Sequence, residues 1–530
     1  MLTNIHVEHF KAFEKADVPV KPITILLGAN SVGKSSIIQL LLAMEQTAMV
    51  DYETYTSCLK IYGSAVNLGS AENIFRRFDT KNPVVLSFSI SNKMLLYEYQ
   101  NIYDDYVEDI KRTERYVPIS ESQTLRRNTL NTRSKYISYM KKLKTIVNKK
   151  DNEDIKERLE YYPILIPLDI SFGQLMDAEL SQLEKLYDLL YGLKKMSVPD
   201  FEFKFKISYK DRSTLILDGF SLSSNGKVLF SYEENNETVN ISSSFICFDD
   251  DEKKNIIEGF SNDSTLFTCF EKGKHKNEDQ YEILGKDIVS AYLFYIIDFA
   301  FSALKETFKA SSINHVSPLR AHPKRYYMLD KANVTYSLDT LDGDAIAEAL
   351  KENEGIKKKV NKWFENFKLS VDVEEFKEVI HHLKVKQNGL NLDITDVGFG
   401  ISQVLPIIIQ GFLSKNNSLT IIEQPEIHLH PKMQADLADL FIDIVKTNEG
   451  KSVIVETHSE YLLKRLRRRI SEGKIEPKMV SICLFHPQTD KKGARIEHLN
   501  IEKKGFFEWP ESFYDGELSK DITEFIKNQD

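Results

Sequence analysis

Ile23-Thr-Ile-Leu-Leu-Gly-Ala-Asn-Ser-Val-Gly-Lys-Ser-Ser36 is the stretch on which the reading of this chain turns. Its apolar opening, Ile23 to Leu27, predicts a buried parallel strand. Gly28, Gly33, Lys34 and Ser35 then fill the spacing G-x-x-x-x-G-K-[ST], and an apolar helix is expected through Leu42. A loop wrapped around a phosphate chain needs glycine where backbone N–H groups approach the oxygens and where dihedrals are unusual. The helix N-terminus adds partial positive charge, a lysine at this position reaches the β/γ-phosphates, and the serine hydroxyl can ligate Mg²⁺. The pattern implies a nucleoside triphosphate site built from Asn30, Gly33, Lys34, Ser35 and Ser36.

Composition sets the bounds around that site. A chain of 530 residues has room for two to four domains and a sizeable core. A net charge of −9 argues against an indiscriminate nucleic-acid binder, so any such contact should be a local basic patch. Four cysteines (Cys58, Cys247, Cys269, Cys483) stand far apart without C-x-x-C spacing, which suggests a reducing compartment and no zinc module. The N-terminus does not read as a signal peptide. The longest apolar run, Ile288 to Leu304, carries Asp298 and reads as a buried helix rather than a membrane span. A cytoplasmic protein with no membrane partner is expected.

Working outward, residues 1–27 alternate as two short strands, and further strands are predicted at Val84–Ile90 and Met94–Tyr99. From Lys111 to Lys150 there are twelve basic residues against two acidic ones, with Tyr116, Tyr136 and Tyr139 interleaved. A Leu-rich helical stretch follows from Leu175 to Leu193. Strand signals return at Phe201–Tyr209, Thr214–Leu222 and Val228–Tyr232, and Asp249-Asp-Asp-Glu-Lys-Lys reads as a solvated loop. A long helix is expected from Asp287 to Phe308, then strand and turn over Ile313–Arg320, then helix over Gly343–Phe367.

Two more strand ends carry chemistry. Ser418-Leu-Thr-Ile-Ile-Glu423-Gln424-Pro425-Glu426 is an apolar strand ending in acids, where a carboxylate can hold Mg²⁺ directly or through water. Val453-Ile-Val-Glu-Thr-His458-Ser459 is another buried strand ending in a polar cluster. Parallel sheets bind ligands beyond the carboxyl ends of their strands, so both clusters belong beside Gly28–Ser35. Asp396-Val-Gly-Phe-Gly-Ile-Ser-Gln403 opens an apolar helix and offers a second phosphate-seeking surface, or an ordinary capped helix start. Two such surfaces on one chain invite a head-to-tail dimer with ATP between the subunits.

The order of these motifs (F-K-A-F, Walker A, insertion, G-x-G-x-S-Q, E-x-P-E-x-H-L-H-P, T-H-S) resembles the ABC-type ATPases of the SMC, RecF and OLD group. More narrowly it is similar to the stand-alone ATPases of bacterial anti-phage systems, the PtuA-type ATPases of Septu and their retron-associated relatives. The resemblance covers residues 1–100 and about 313–515 and does not reach 101–200. It implies an α/β fold: an ABC-type, RecF/SMC-like P-loop ATPase head with an antiparallel β lobe and a helical insertion. It divides the chain into 1–100 (Walker A part of the core), 101–198 (basic helical insertion), 199–312 (β lobe and long helix), 313–515 (signature, Walker B and switch histidine) and 516–530 (tail).

By that resemblance Lys34 and Ser35 grip phosphate and Mg²⁺, and Glu423 stands at the Walker B metal position. Gly398, Gly400, Ser402 and Gln403 form the signature acting across a dimer, and His458 is the switch histidine at the γ-phosphate. His428 and His430 are structural rather than zinc ligands. The family's catalytic glutamate is replaced by Gln424, which can orient a water but cannot take its proton. Either hydrolysis is slow, or Glu426 does the work, so Gln424, Glu426 and His458 are the catalytic candidates.

The basic stretch could track a phosphate backbone with its tyrosines stacked on bases, or be a solvated helix face. Its candidates are Arg126, Arg127, Lys141, Lys142 and Lys144, joined by Arg467 and Arg468 from the cluster Lys464–Arg469. About 70 residues follow His458 and none forms a D-x-D motif, so no nuclease domain is expected here. The resemblance implies a regulatory ATPase, dimeric or higher-order, controlling a separate effector such as an HNH nuclease, with DNA or retron RNA/DNA as a further partner. A RecF-like repair ATPase and an ATP-dependent toxin-sequestering scaffold are the alternatives.

Overall fold

A strand without polar and apolar alternation must be covered on both faces, and Ile23–Gly28, apolar but for Thr24, is buried along its whole length inside a six-stranded sheet. The order is Ile313–Val316, Leu419–Glu423, Ser452–Glu456, Ile23–Gly28, Val480–His486 and Arg495–His498. The first five run parallel and the sixth is antiparallel to its neighbour. In this computed structural model the described residues are 1–50, 57–117, 125, 130–149, 157, 163–165, 170–235, 238–270, 287–309, 312–320, 322–328, 344–377, 380–447, 450–489, 493–502 and 504–507.

A second, seven-stranded antiparallel sheet has the order Thr238–Ser242, Lys227–Asn235, Leu215–Ser224, Asp200–Tyr209, Val84–Ser91, Leu2–Glu8, Lys15–Pro19. Its strands alternate as a half-buried sheet should. In Asp200–Tyr209, Phe201, Phe203, Phe205 and Ile207 turn inward, while Glu202 and Lys204 face water. The helix Ile288–Phe308 lies on that inner face, where Phe301 meets Phe203, Phe205 and Phe220 edge-on at 5.7, 5.9 and 5.1 Å between centroids. Asp287 starts this helix by accepting from the N–H groups of Val289 and Ser290. The helix is long and apolar enough to cross a membrane, yet 67% of its most apolar window is buried in the fold. Each such buried side chain contributes roughly 1.5–3 kcal/mol. The phosphate-loop helix Lys34–Ala48 packs against it and so lies between the two sheets.

The stretch 101–198 contributes the helices Arg133–Val147 and Leu180–Lys194, packed on Lys93–Thr113 through tyrosines. Met94–Tyr99, expected as a strand, is the start of that last helix. Asn92 caps it by accepting from Met94 N and Leu95 N, and Leu95, Tyr99, Ile102, Tyr103, Tyr106 and Ile110 recur at helical spacing. The Leu175–Leu193 stretch is broken into Phe172–Asp177 and Leu180–Lys194 by a capping box between Glu179 and Gln182. The segment from Asp249 is no solvated loop either. Asp249 and Glu252 form a capping box that opens the helix Asp250–Gly259, and Glu252 is buried against Lys185.

A small antiparallel sheet, Tyr327–Met328, Ile380–Gln387, Leu369–Lys377 and Leu390–Asp393, precedes the helix Phe399–Leu413. The helices Asp344–Glu352 and Glu354–Phe364 pack beside it, separated by the cap Asn353; Gly343 lies outside the described residues. The fold is the mixed α/β arrangement of an ABC-type P-loop ATPase head, with the antiparallel lobe the sequence implied.

Candidate functional site

The phosphate loop adopts backbone conformations that its glycines permit. Gly28 sits at φ 137° and Gly33 at φ 105°. A Cβ on Gly33 would meet the Phe13 ring at 2.5 Å, and one on Gly28 would meet the Phe485 carbonyl at the same distance. Gly33 caps the helix whose first residues are Lys34 and Ser35. Lys34 is buried, donates to the carbonyls of Gly28 (2.9 Å) and Ala29 (2.7 Å), and stands 3.6 Å from Glu456 Oε1. Burial pulls its pKa down, opposed by Glu456. Asn30 and Ser35 are exposed, and Ser36 N bonds back to Gly33 O.

The parallel register brings the other strand ends to this loop. Glu423 is level with Glu456, and Glu456 with Leu26. Ser35 Oγ donates to Glu456 Oε2 at 3.2 Å. Glu456 is only 4% exposed, and burial raises its pKa against the pull of Lys34. Glu423, expected to hold the metal, has its Oε1 at 2.7 Å from His315 Nε2. Glu423 and Glu456 thus stand side by side, and it is Glu456 that touches Ser35.

Gln424 is held at φ 43°, with its N–H on the Glu456 carbonyl at 2.7 Å. Arg320, 6% exposed, braces this turn by donating from Nη2 to the carbonyls of Glu423 (2.8 Å) and Gln424 (3.4 Å). Its Nε and Nη1 are buried without partners, and burial pushes its pKa down to about 10. Glu426 accepts from Thr457 Oγ1 (2.8 Å) on one carboxylate oxygen and from His458 N (2.7 Å) on the other. Burial raises the Glu426 pKa despite those bonds. The His458 pKa is lowered by burial and by the Lys34 charge, and its Nε2 is buried without a partner. A neutral imidazole beside a buried ammonium can donate to a phosphate oxygen or hold a water.

The chain's donors fit a polyphosphate: loop N–H groups at a helix N-terminus, a buried lysine and an orphaned imidazole nitrogen. Ser35 Oγ with the neighbouring carboxylates fits Mg²⁺, which typically takes one or two carboxylates plus phosphate oxygens. The chemistry such an ion supplies is charge neutralisation on the β- and γ-phosphates.

The structure separates the remaining candidates. Gly398 caps the helix Phe399–Leu413 and is exposed, and a Cβ on Gly400 would meet the His428 carbonyl at 2.9 Å. Ser402 and Gln403, expected in the signature, are buried within the chain. His430 caps the helix Pro431–Val445 by accepting from Lys432 N, and among the described residues no group of three His, Cys, Asp or Glu is arranged for a metal ion.

The nucleic-acid expectation is corrected in part. Tyr136 and Tyr139 lie in the core, the first bonded to Tyr106 and the second to Glu114, so neither stacks on a base. Lys144 donates to the Ala178 carbonyl. Arg467 donates to Gly505 O and covers the Phe507 ring at 5.0 Å, and Arg468 pairs with Glu472 at 2.6 Å. Lys141 and Lys142 are exposed; Arg126 and Arg127 lie outside the described residues, as does the tail from 508.

Sequence reasoning missed Glu456, His315 and Arg320. Glu456 ends an apolar strand just as Glu423 does, a signal that was available. His315 and Arg320 are placed only by the pairing of Ile313–Val316 with Leu419–Glu423.

A family model described as an AAA ATPase domain matches residues 1–463. No curated protein matches the chain. Among solved structures it is similar to an SMC head bound to the C-winged helix domain of ScpA, at 9% identity over 95% of this chain and 99% of that one, TM-score 0.39. It is also similar to the SMC head domain from Thermotoga maritima, at 8% identity over 94% and 98%, TM-score 0.35. A third is an Smc head domain with an extended coiled coil bound to the C-terminal domain of ScpA, derived from Pyrococcus furiosus, at 10% identity over 99% of each chain, TM-score 0.34.

Proposed function

The chain belongs to the AAA ATPase domain family, and from that premise we propose that it is a MgATP-controlled regulatory ATPase with slow turnover. The observation that carries this reading is the meeting of Lys34, Ser35, Glu456 and the unpartnered His458 Nε2 at one end of the parallel sheet. Lys34 and the loop N–H groups bind the phosphates, and His458 senses the γ-phosphate. Gln424 orients the attacking water without accepting its proton. Glu426 spends both oxygens on Thr457 and His458, which makes it a brace for the histidine rather than a free base. Slow hydrolysis suits a switch that holds a nucleotide state.

The motif order supports placing this switch in an anti-phage complex of the PtuA and retron-associated kind, in the cytoplasm. There the chain would pair with a second copy across ATP through the Gly398–Gly400 backbone and restrain a separate effector, an HNH nuclease being the leading class. The divisions 1–100, 101–198, 199–312, 313–515 and 516–530 stand as part of the same proposal. The test is to express the tagged chain with its chromosomal neighbours and compare wild type with Lys34→Ala in a native pull-down. An effector retained by wild type and lost from the variant is the expected result. ATP-dependent retention of DNA alone would replace this reading with a repair ATPase of the RecF kind.

A further inference from the structure

We propose that Glu456 is a magnesium ligand beside Ser35, and that its carboxylate makes nucleotide binding conditional on the divalent ion. The inference rests on the phosphate-loop reading above and adds to it a residue that the motif pattern does not assign. Three observations carry it. Glu456 Oε2 lies 3.2 Å from Ser35 Oγ, the hydroxyl that the loop offers to a metal. Oxygens on adjacent corners of an octahedron with bonds of 2.0–2.1 Å stand about 3 Å apart, so this pair matches two neighbouring ligands. Glu456 is also 4% exposed, with its other oxygen 3.6 Å from Lys34 Nζ, so it faces the position where Lys34 meets phosphate. Finally, Glu423 has an oxygen engaged by His315, and Glu456 has no histidine of its own.

The arrangement has a consequence for metal-free ATP. Glu456 draws on the lysine that must grip the β/γ-phosphates, and its charge opposes theirs at close range. A divalent ion between Ser35 and Glu456 turns that carboxylate from an obstacle into a ligand and releases Lys34 to the nucleotide. Threonine in place of Glu456 would remove both the ligand and the repulsion.

The test is calorimetric titration of the full chain with the β,γ-imido analogue of ATP, in Mg²⁺ and in EDTA. Wild type should bind the analogue about tenfold or more tightly with Mg²⁺, since like charges a few ångströms apart at a protein surface are worth at least a decade. In Glu456→Thr the ratio should fall below about threefold, largely because metal-free affinity rises, while Glu456→Asp keeps the dependence. Mn²⁺ EPR with the analogue should show one tightly held ion per chain in wild type and its loss in Glu456→Thr. Glu456→Gln, nearly isosteric, stands in if the threonine variant fails to fold by thermal melting. A wild-type ratio in Glu456→Thr or Glu456→Gln, or a ratio lost only in Glu423→Gln, overturns the inference and leaves the ATP site intact. Absence of analogue binding by wild type in both buffers overturns the ATP-site reading instead.

Discussion

The strand ends of the parallel sheet and the helices of the 101–198 stretch are both rich in charge, and they treat it in opposite ways. In the helical stretch several of the charges are closed on one another. Arg112 meets Glu108 and Asp109, Arg133 meets Glu184 and Asp188, and Lys194 meets Asp104. Its neighbourhood leaves single oxygens without partners, Tyr292 OH and Glu252 Oε1. Around the parallel sheet the unpartnered buried atoms include the donors Arg320 Nε and Nη1, with His458 Nε2 and, on the helix Phe399–Leu413, Gln403 Nε2, beside both amide atoms of Asn314 and Glu460 Oε1. A buried donor without an acceptor costs about 1–3 kcal/mol. A group of them next to a phosphate loop is explained by an anionic ligand, whereas a closed set of pairs is explained by folding alone.

The sharpest way to break this contrast is to remove the lysine. Lys34→Ala should weaken ATP binding at least about 100-fold by calorimetry, because it deletes a buried, charge-assisted hydrogen-bond donor to phosphate. Arg133→Ala, in the helical stretch, removes a half-exposed pair worth about 0–1 kcal/mol and should leave ATP affinity within twofold, a limit of roughly 0.4 kcal/mol. Equal effects from the two substitutions would erase the distinction. A smaller effect is expected at Glu426. Glu426→Gln removes the charge that strengthens both bonds, keeping an acceptor for His458 N only if its N–H₂ turns to donate to Thr457 Oγ1. Stability should drop by about 1–3 kcal/mol in urea unfolding, and turnover should fall as His458 shifts from its position. Unchanged stability with abolished turnover would restore Glu426 as the base.

The same contrast explains what the sequence made legible. The phosphate loop was readable because its function is written in consecutive residues, and the apolar strands Ile23–Gly28, Leu419–Glu423 and Ser452–Glu456 because burial on both faces leaves no alternation. What assembles through register was not readable. Glu456 meets Ser35 across 421 positions of sequence, and His315 reaches Glu423 across 108. Met94–Tyr99 failed as a strand because its apolar residues are too few to show helical period until the run extends to Ile110. Arg133, one of the twelve basic residues of 111–150, has its acidic partners Glu184 and Asp188 on another helix, where a count along the sequence does not reach them.

Next in size is a pH effect on the site side of the comparison. Glu45, on the phosphate-loop helix, has its pKa raised from 4.5 to about 7 by burial, with His315 pulling the other way. The folded state therefore binds a proton that the unfolded state has released, between pH 4.5 and 7. Stability from this group is complete below pH 4.5 and is lost as pH rises through 7. Glu45→Gln should be more stable than wild type by roughly 3 kcal/mol at pH 8, with the difference gone below about pH 4. A difference that is constant across this range would show that Glu45 is not held protonated.

The smallest expected effect tests the helical side. Lys141 and Lys142 are exposed on the helix Arg133–Val147 and line an open concavity of about 850 Å³ with Thr132, Arg133 and Glu184. Phosphate tracking by these lysines would show as salt dependence. Removing one lysine that meets a phosphate should flatten log K against log salt by roughly 0.7–0.9. But Glu184 and Asp188 stand on the facing helix and hold Arg133, so a phosphate backbone entering here meets carboxylates as well as ammonium groups. The core tyrosines Tyr136 and Tyr139 offer no stacking platform beside them. The double reversal Lys141→Glu with Lys142→Glu should therefore change single-stranded DNA affinity, measured by fluorescence anisotropy, by less than about threefold, with no change in salt slope. A slope lower by about 1.5–2 would mean that both lysines meet phosphate, and that the helical stretch, like the strand ends, keeps part of its charge for a ligand.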